Sequence, residues 1–193
     1  MSIVVVTRPA FFAVSLGEAL VHLRLVGDVD GYVAGIVLPG AQALVEELTG
    51  RRLTTTTLRL GLEMWPAGGE ILLPGPPAAS ITSVTYLDDA GVRQTLAASN
   101  YVLDKDAEPA ILAPAAGVTW PSARQASGSV QVTYVAGASS AADVEPSLRA
   151  AVLLACGHKY EHRELAIPGT SLVEVPVGIR DLCAPYDVRD RFA

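Results

Sequence analysis

The stretch that most constrains this chain is an apolar run over residues 144–163. Glu145-Pro146-Ser147 suits a helix start, with an acidic residue near the N-cap and proline at the first helical position, where its missing N–H costs nothing. Leu148, Ala151, Val152, Ala155 and Cys156 then recur at helical spacing, and Leu153 and Leu154 widen the stripe to nearly half the circumference. A helix this apolar needs partners on more than one side. Its charged end, His158-Lys159-Tyr160-Glu161-His162-Arg163-Glu164, brings it out to solvent. The nearest helical partners lie before residue 50, across a long strand-rich stretch. The expected class is α+β: a small helical bundle interrupted by an antiparallel β-rich insertion, with an extended C-terminal tail.

Those partners can be read in order. Ser15-Leu16-Gly17-Glu18 has capping-box form and starts a short helix, with Leu16, Ala19, Leu20 and Leu23 on one face and an end near Gly27. Asp28 or Asp30 caps a second helix with Val29, Val33, Ile36 and Val37 inward, continued by Leu44 and Leu48. Pro39-Gly40 falls in its middle and predicts a kink or break at Leu38, because proline removes a hydrogen bond and clashes with the preceding turn. Thr49-Gly50 closes it, with glycine in the C′ position.

From Arg51 the period changes to two. Residues 53–62, 70–73, 80–87, 92–96, 101–103, 110–112 and 129–135 read as strands. Asp88-Asp89-Ala90-Gly91 is a strong hairpin signal, and Pro74-Gly75-Pro76-Pro77 marks an extended crossing. Residues 137–143 form a linker. The expected organisation is thus 1–50 (N-terminal segment and helices of the core), 51–143 (β insertion and linker), 144–164 (the long helix completing the core) and 165–193 (tail). Leu172, Val173, Val175, Val177, Ile179, Leu182 and Tyr186 make that tail apolar, yet Pro168-Gly169 and Pro176 interrupt it. Such a segment is expected to engage a neighbouring protein or to fold back on its own subunit.

Composition narrows the function classes. The net charge of −6 is spread along the chain, with no basic arm of the kind sequence-specific DNA binding uses to neutralise phosphates. No run approaches the roughly 18 apolar residues of a membrane span. The apolar opening, residues 1–6, is too short for a signal peptide and has no charged leader, so a soluble chain made in the cytoplasm is expected. Cys156 and Cys183 match no metal spacing and read as buried thiols. His158 and His162 stand at i, i+4, but without the glutamate placement of the zinc-protease pattern; a solvated helix end explains them. Ser147 and Ser171 lack a nucleophile-elbow context. No catalytic residue, cofactor or metal ligand is expected.

The order helix, helix, strand-rich insertion, helix, tail resembles the head–tail connector (adaptor) proteins of long-tailed bacteriophages and gene transfer agents. The resemblance is carried by Ser15-Leu16-Gly17-Glu18-Ala19 with Leu23-Arg24; by Val45-Glu46-Glu47-Leu48-Thr49-Gly50-Arg51; by Ile71-Leu72-Leu73-Pro74 ahead of Ile81-Thr82-Ser83-Val84-Thr85-Tyr86-Leu87-Asp88; and by Tyr101-Val102-Leu103-Asp104, Trp120-Pro121 and Val132-Thr133-Tyr134-Val135-Ala136-Gly137. Tyr160-Glu161-His162-Arg163-Glu164 and Val175-Pro176-Val177-Gly178-Ile179, with Leu182 and Pro185-Tyr186, complete it. Pro39-Gly40 and the stretch 187–193 depart from the pattern. The resemblance implies a non-catalytic particle protein at the head–tail junction. It implies a homo-oligomeric ring of twelve copies beneath the portal protein, a stopper or tail protein below, and double-stranded DNA passing through without sequence-specific binding. The tail residues named above would meet the portal or a neighbouring subunit. A different class, a small β-rich carbohydrate-type binding module, would instead use Trp65, Tyr86, Tyr101, Trp120 and Tyr134 as a stacking surface.

Overall fold

The computed structural model describes residues 1–27, 31–162 and 176–192. They fall into two compact units: Met1–Pro9, Thr55–Ala138 and Asp190–Ala193 form one, Ala10–Thr54 and Ser139–Arg189 the other. The fold is α+β, the first unit being built from antiparallel strands and the second from helices.

In the sheet unit, β1 (Ser2–Thr7), β2 (Thr56–Leu62), β8 (Val130–Ala136), β4 (Ala78–Leu87) and β5 (Arg93–Leu96) form a five-stranded sheet in that spatial order. The strands β3 (Ile71–Leu73), β7 (Ala110–Pro114) and β6 (Tyr101–Asp104) form a second sheet. The alternation that marks β8 works as period two requires: Val130, Val132, Tyr134 and Ala136 are buried and the residues between them are not. Register pairs Leu58 with Tyr134 and Leu60 with Val132, which stacks large side chains across the ladder. Together with Ile71, Leu73, Val84 and Leu112 these make one core, and the buried Tyr134 hydroxyl donates to the Pro74 carbonyl at 2.5 Å. The β4–β5 hairpin turns at Asp88–Gly91 as the sequence predicts, Gly91 taking φ 80° and its N–H reaching the Asp88 carbonyl at 2.8 Å. Two expectations change here. Residues 1–9 belong to the sheet rather than to the helical core, and residues 53–54 belong to the helical unit rather than to β2.

In the helical unit, α1 (Leu16–His22) carries the complete capping box. Ser15 Oγ accepts from the Glu18 N–H at 3.2 Å, while Glu18 Oε2 accepts from the Ser15 N–H at 2.8 Å. It ends at His22, earlier than expected. The expected caps of the next helix, Asp28 and Asp30, lie outside the described residues. At Pro39 the helix does not break. Residues Val33–Val37 wind as a π-helix, the Leu38 N–H reaching back to the Val33 carbonyl, and α2 (Leu38–Thr49) follows directly with proline in its first turn. The wider turn shifts the ladder by one residue, so proline's missing donor falls where a new helix needs none. Gly50 ends α2 in the left-handed region at φ 70°.

Helix α3 (Pro146–Glu161) buries Leu148, Ala151, Val152, Ala155 and Cys156, the predicted stripe, against α2 and the C-terminal helix α4 (Val177–Cys183). Leu154 stays exposed, so the stripe is narrower than its sequence implies. A buried amide fastens the unit: Gln42 accepts from the Ala13 N–H at 2.9 Å and donates to Thr54 Oγ1 at 2.9 Å and Glu46 Oε1 at 3.2 Å. Arg149 adds a second clamp, donating to the Ala13 carbonyl at 3.1 Å and pairing with Glu18.

Candidate assembly surfaces

The side chains that could have carried chemistry are placed among packing groups. Cys156 and Cys183 are free and buried, and burial pushes the Cys156 thiol up to about 11 and the Cys183 thiol upward too. A thiol so raised is a poor nucleophile at neutral pH. His158 and His162 have ring centroids 5.0 Å apart, and burial, then His162 and Lys159, hold His158 below its ordinary range. Among the described residues no cluster of three or more His, Cys, Asp or Glu side chains could hold a metal ion, and no helix is long and apolar enough to cross a membrane. The strand aromatics serve the sheet unit. Trp65 stacks on Trp120 at 4.4 Å and tilts against Tyr86; all three pack on the core that holds Tyr134, and the Trp120 indole donates to the Gly69 carbonyl at 2.7 Å. A stacking platform for sugar would need those faces free.

Two surfaces remain. The first is the C-terminal segment, and the structure divides its predicted residues. Leu172, Val173 and Val175 lie outside the described residues. Val177 opens α4 and is 71% exposed, whereas Ile179 is 1% exposed and packed within the helical unit. From residue 176 the segment is helical rather than extended, with α4 leading into 3-10 turns at Ala184–Tyr186 and Arg189–Phe192. Helical winding explains the division: Ile179 and Cys183, four apart, share the inner face, while Val177 and the half-buried Leu182 do not. Tyr186 is also held at home. Its carbonyl accepts from Arg51 Nε at 2.8 Å, the guanidinium lies over its ring at 5.8 Å, and the Val188 N–H donates to the Thr49 carbonyl at 3.0 Å. Ile179 is therefore withdrawn from any neighbour-facing stripe, while Leu182 and Tyr186 are half-buried.

The second surface is β1, which sequence reasoning missed. Residues 1–6 are too short for a leader, but their run of β-branched residues is itself a strand signal. All six of its residues are exposed, Ile3 at 40%, Val4 at 54%, Val5 at 42% and Val6 at 44%. Register sets Ile3 opposite Leu60 and Val5 opposite Leu58, so these two extend the core face of the sheet beyond its cover. One edge of β1 pairs with β2; among the described residues the other pairs with no strand.

Solved structures share this fold over nearly its whole length. No protein-family model matches the chain, and no curated protein does. A chain from the virion of the native gene transfer agent (GTA) particle superposes with a TM-score of 0.80 at 27% identity. Chains from the neck of the empty particle, with C6 symmetry, and of the native particle, with C12 symmetry, superpose at 0.78 and 0.75 with 28% and 27% identity. Each alignment covers 98% of this chain and 97% of the other. The chain has the fold of a GTA neck chain. Because the coverage takes in both units, the sheet insertion is part of what is shared.

Proposed function

We propose that this chain is a structural, non-catalytic component of the neck of a phage-like or gene transfer agent particle. In finer detail, it is a head–tail connector (adaptor) that closes into a ring of twelve copies beneath the portal and joins the DNA-filled head to the tail. The observation that carries this reading is the near-complete two-way alignment with chains of GTA necks, one of them from a neck computed with C12 symmetry. A net charge of −6 supports it, since a mildly acidic channel wall does not hold phosphates and lets duplex DNA slide. Partners are then the portal on one side and a stopper or tail protein on the other. The contact with the portal or a neighbouring copy falls to the 165–177 region, Leu172, Val173 and Val175 with the exposed Val177, and not to the buried Ile179.

Deleting the gene in a particle-producing strain tests this. The expected product is DNA-filled heads without tails, restored by the chain in trans, with the complemented chain located at the neck by labelled-antibody electron microscopy. Tailed, DNA-delivering particles from the deletion would overturn it.

A further inference from the structure

We propose that β1 is the strand through which one copy of this chain joins the next, by lying alongside the free edge strand β5 of its neighbour. The inference rests on the ring reading above. A ring of identical subunits needs two different surfaces on each copy, one to give and one to receive. Among the described residues the five-stranded sheet ends at β1 on one side and β5 on the other, and neither outer edge pairs with a strand. Four successive antiparallel pairings separate them, β1–β2, β2–β8, β8–β4 and β4–β5, so β1 and β5 run in the same direction. A neighbour generated by rotation about an axis along the strands therefore presents its β5 parallel to β1, and the ladder continues from copy to copy. Faces match as well. Ile3 and Val5 lie on the core face of β1, and Leu96, paired with the buried Val84, lies on the core face of β5.

Physical chemistry supplies the need for a cover. A free edge is ordinarily blunted by a charge, a proline, a bulge or shortness, and β1 has none of these over Ser2–Val5, its one register shift falling between Val5 and Thr7. Its aliphatic side chains stay exposed at the rim of their own unit's core face. Strand addition satisfies the open backbone groups and covers the apolar side chains in one step. β5 is the polar, receiving edge: Arg93, Gln94 and Thr95 are exposed, and Arg93 donates to the carbonyls of Gly128 and Ser129 at 3.1 and 3.3 Å, which keeps β5 in place without a neighbour.

Disulfide trapping in assembled full-length chains decides the matter. Val4 and Thr95 lie on the outer face of their strands, and Ser2 shares that face two residues earlier. The double variants Val4→Cys/Thr95→Cys and Ser2→Cys/Thr95→Cys sample two registers, and the native Cys156 and Cys183 are buried and stay silent. Oxidation should give a ladder of linked dimers, trimers and larger species from at least one double variant and from none of the three single variants. Dimers from Val4→Cys alone would mean that β1 pairs with β1, and would overturn the proposal. A multi-copy assembly, shown by light scattering, that yields no ladder would overturn it while leaving the ring standing. A chain that never assembles, alone or in particles, would overturn both.

Discussion

Helix α3 and strand β1 are comparably apolar, and they end in opposite places. The stripe Leu148, Ala151, Val152, Ala155 and Cys156 is buried, while every residue of β1 is exposed. Pattern, more than apolarity, separates them. In α3 the apolar residues return every three to four positions and leave a polar side for solvent, so one face has a single way to be covered by its own chain. In β1 successive aliphatic residues point to both faces of the sheet, and a strand at a sheet edge has nothing beyond it to cover either face. An apolar stripe with a period describes a core; an apolar run without one, at an edge, describes a contact that another chain must complete.

The sharpest way to break that comparison is to place the same charge in both regions. Val152→Asp buries an unpaired carboxylate and should cost several kcal/mol, enough to unfold the helical unit. Val4→Asp should leave stability within about 0.5 kcal/mol, as for an exposed site, yet abolish assembly. Thermal denaturation followed by circular dichroism, with mass by light scattering, reads both. Equal destabilisation by the two variants would mean that β1 is a core strand after all.

A second test contrasts polar interiors. Gln42 is 3% exposed and fastens three elements of the helical unit, so Gln42→Ala should cost about 1–3 kcal/mol by leaving the Ala13 N–H and Thr54 without that partner. In the sheet unit Tyr134→Phe removes the hydroxyl's bond to Pro74 and should cost about 1 kcal/mol. Urea denaturation of both variants orders them; a larger loss from Tyr134→Phe would reverse the view that the helical unit depends more on its buried polar links. Gly50→Ala should fall near 1 kcal/mol. The residue holds φ 70°, and a Cβ there would come within 2.8 Å of Arg189 Cγ, near the root of a side chain paired with Asp187, so the cost is at least that.

How much of this was visible in the sequence follows the same physics. The α3 stripe, the Ser15–Glu18 capping box, the 88–91 hairpin and the Gly50 stop are local patterns, and local patterns survive folding. Pro39 foretold a disturbance but not its kind, because a break and a π-turn both answer a missing donor and only packing selects between them. For the C-terminal segment, the interruptions at Pro168-Gly169 and Pro176 predict an extended chain. Burial of Ile179, Cys183 and Val188 against the helical unit outweighs that local preference. Strand β1 differs: its run of β-branched residues marks a strand, but its pairing with β2, some fifty residues on, has no local signal to specify it.

The smallest expected effect is on pH dependence, and two of the carboxylates behind it lie in the helical unit. The Ser15 N–H, then the Ser15 hydroxyl and Arg149, hold the Glu18 carboxyl below its ordinary value, and the Arg189 side chain and N–H hold Asp187 down at about 2. Both folded-state values are depressed, so both groups contribute stability that is present above their unfolded values, about 3.9–4.3, and that is lost as pH falls through the folded ones. Both carboxylates are solvent-accessible, so the contribution is modest and weakens with salt. Between pH 4 and pH 2 the melting temperature should therefore decline, Glu18→Gln should flatten the upper part of that decline, and Asp187→Asn the lower part. The six residues of β1 carry no acid, so Val4→Asp would be the first titrating group on that strand and should leave this acid limb unchanged in the unassembled chain. An acid limb that Glu18→Gln and Asp187→Asn leave intact would show that other carboxylates govern it, and that the α1 cap is maintained by geometry more than by charge.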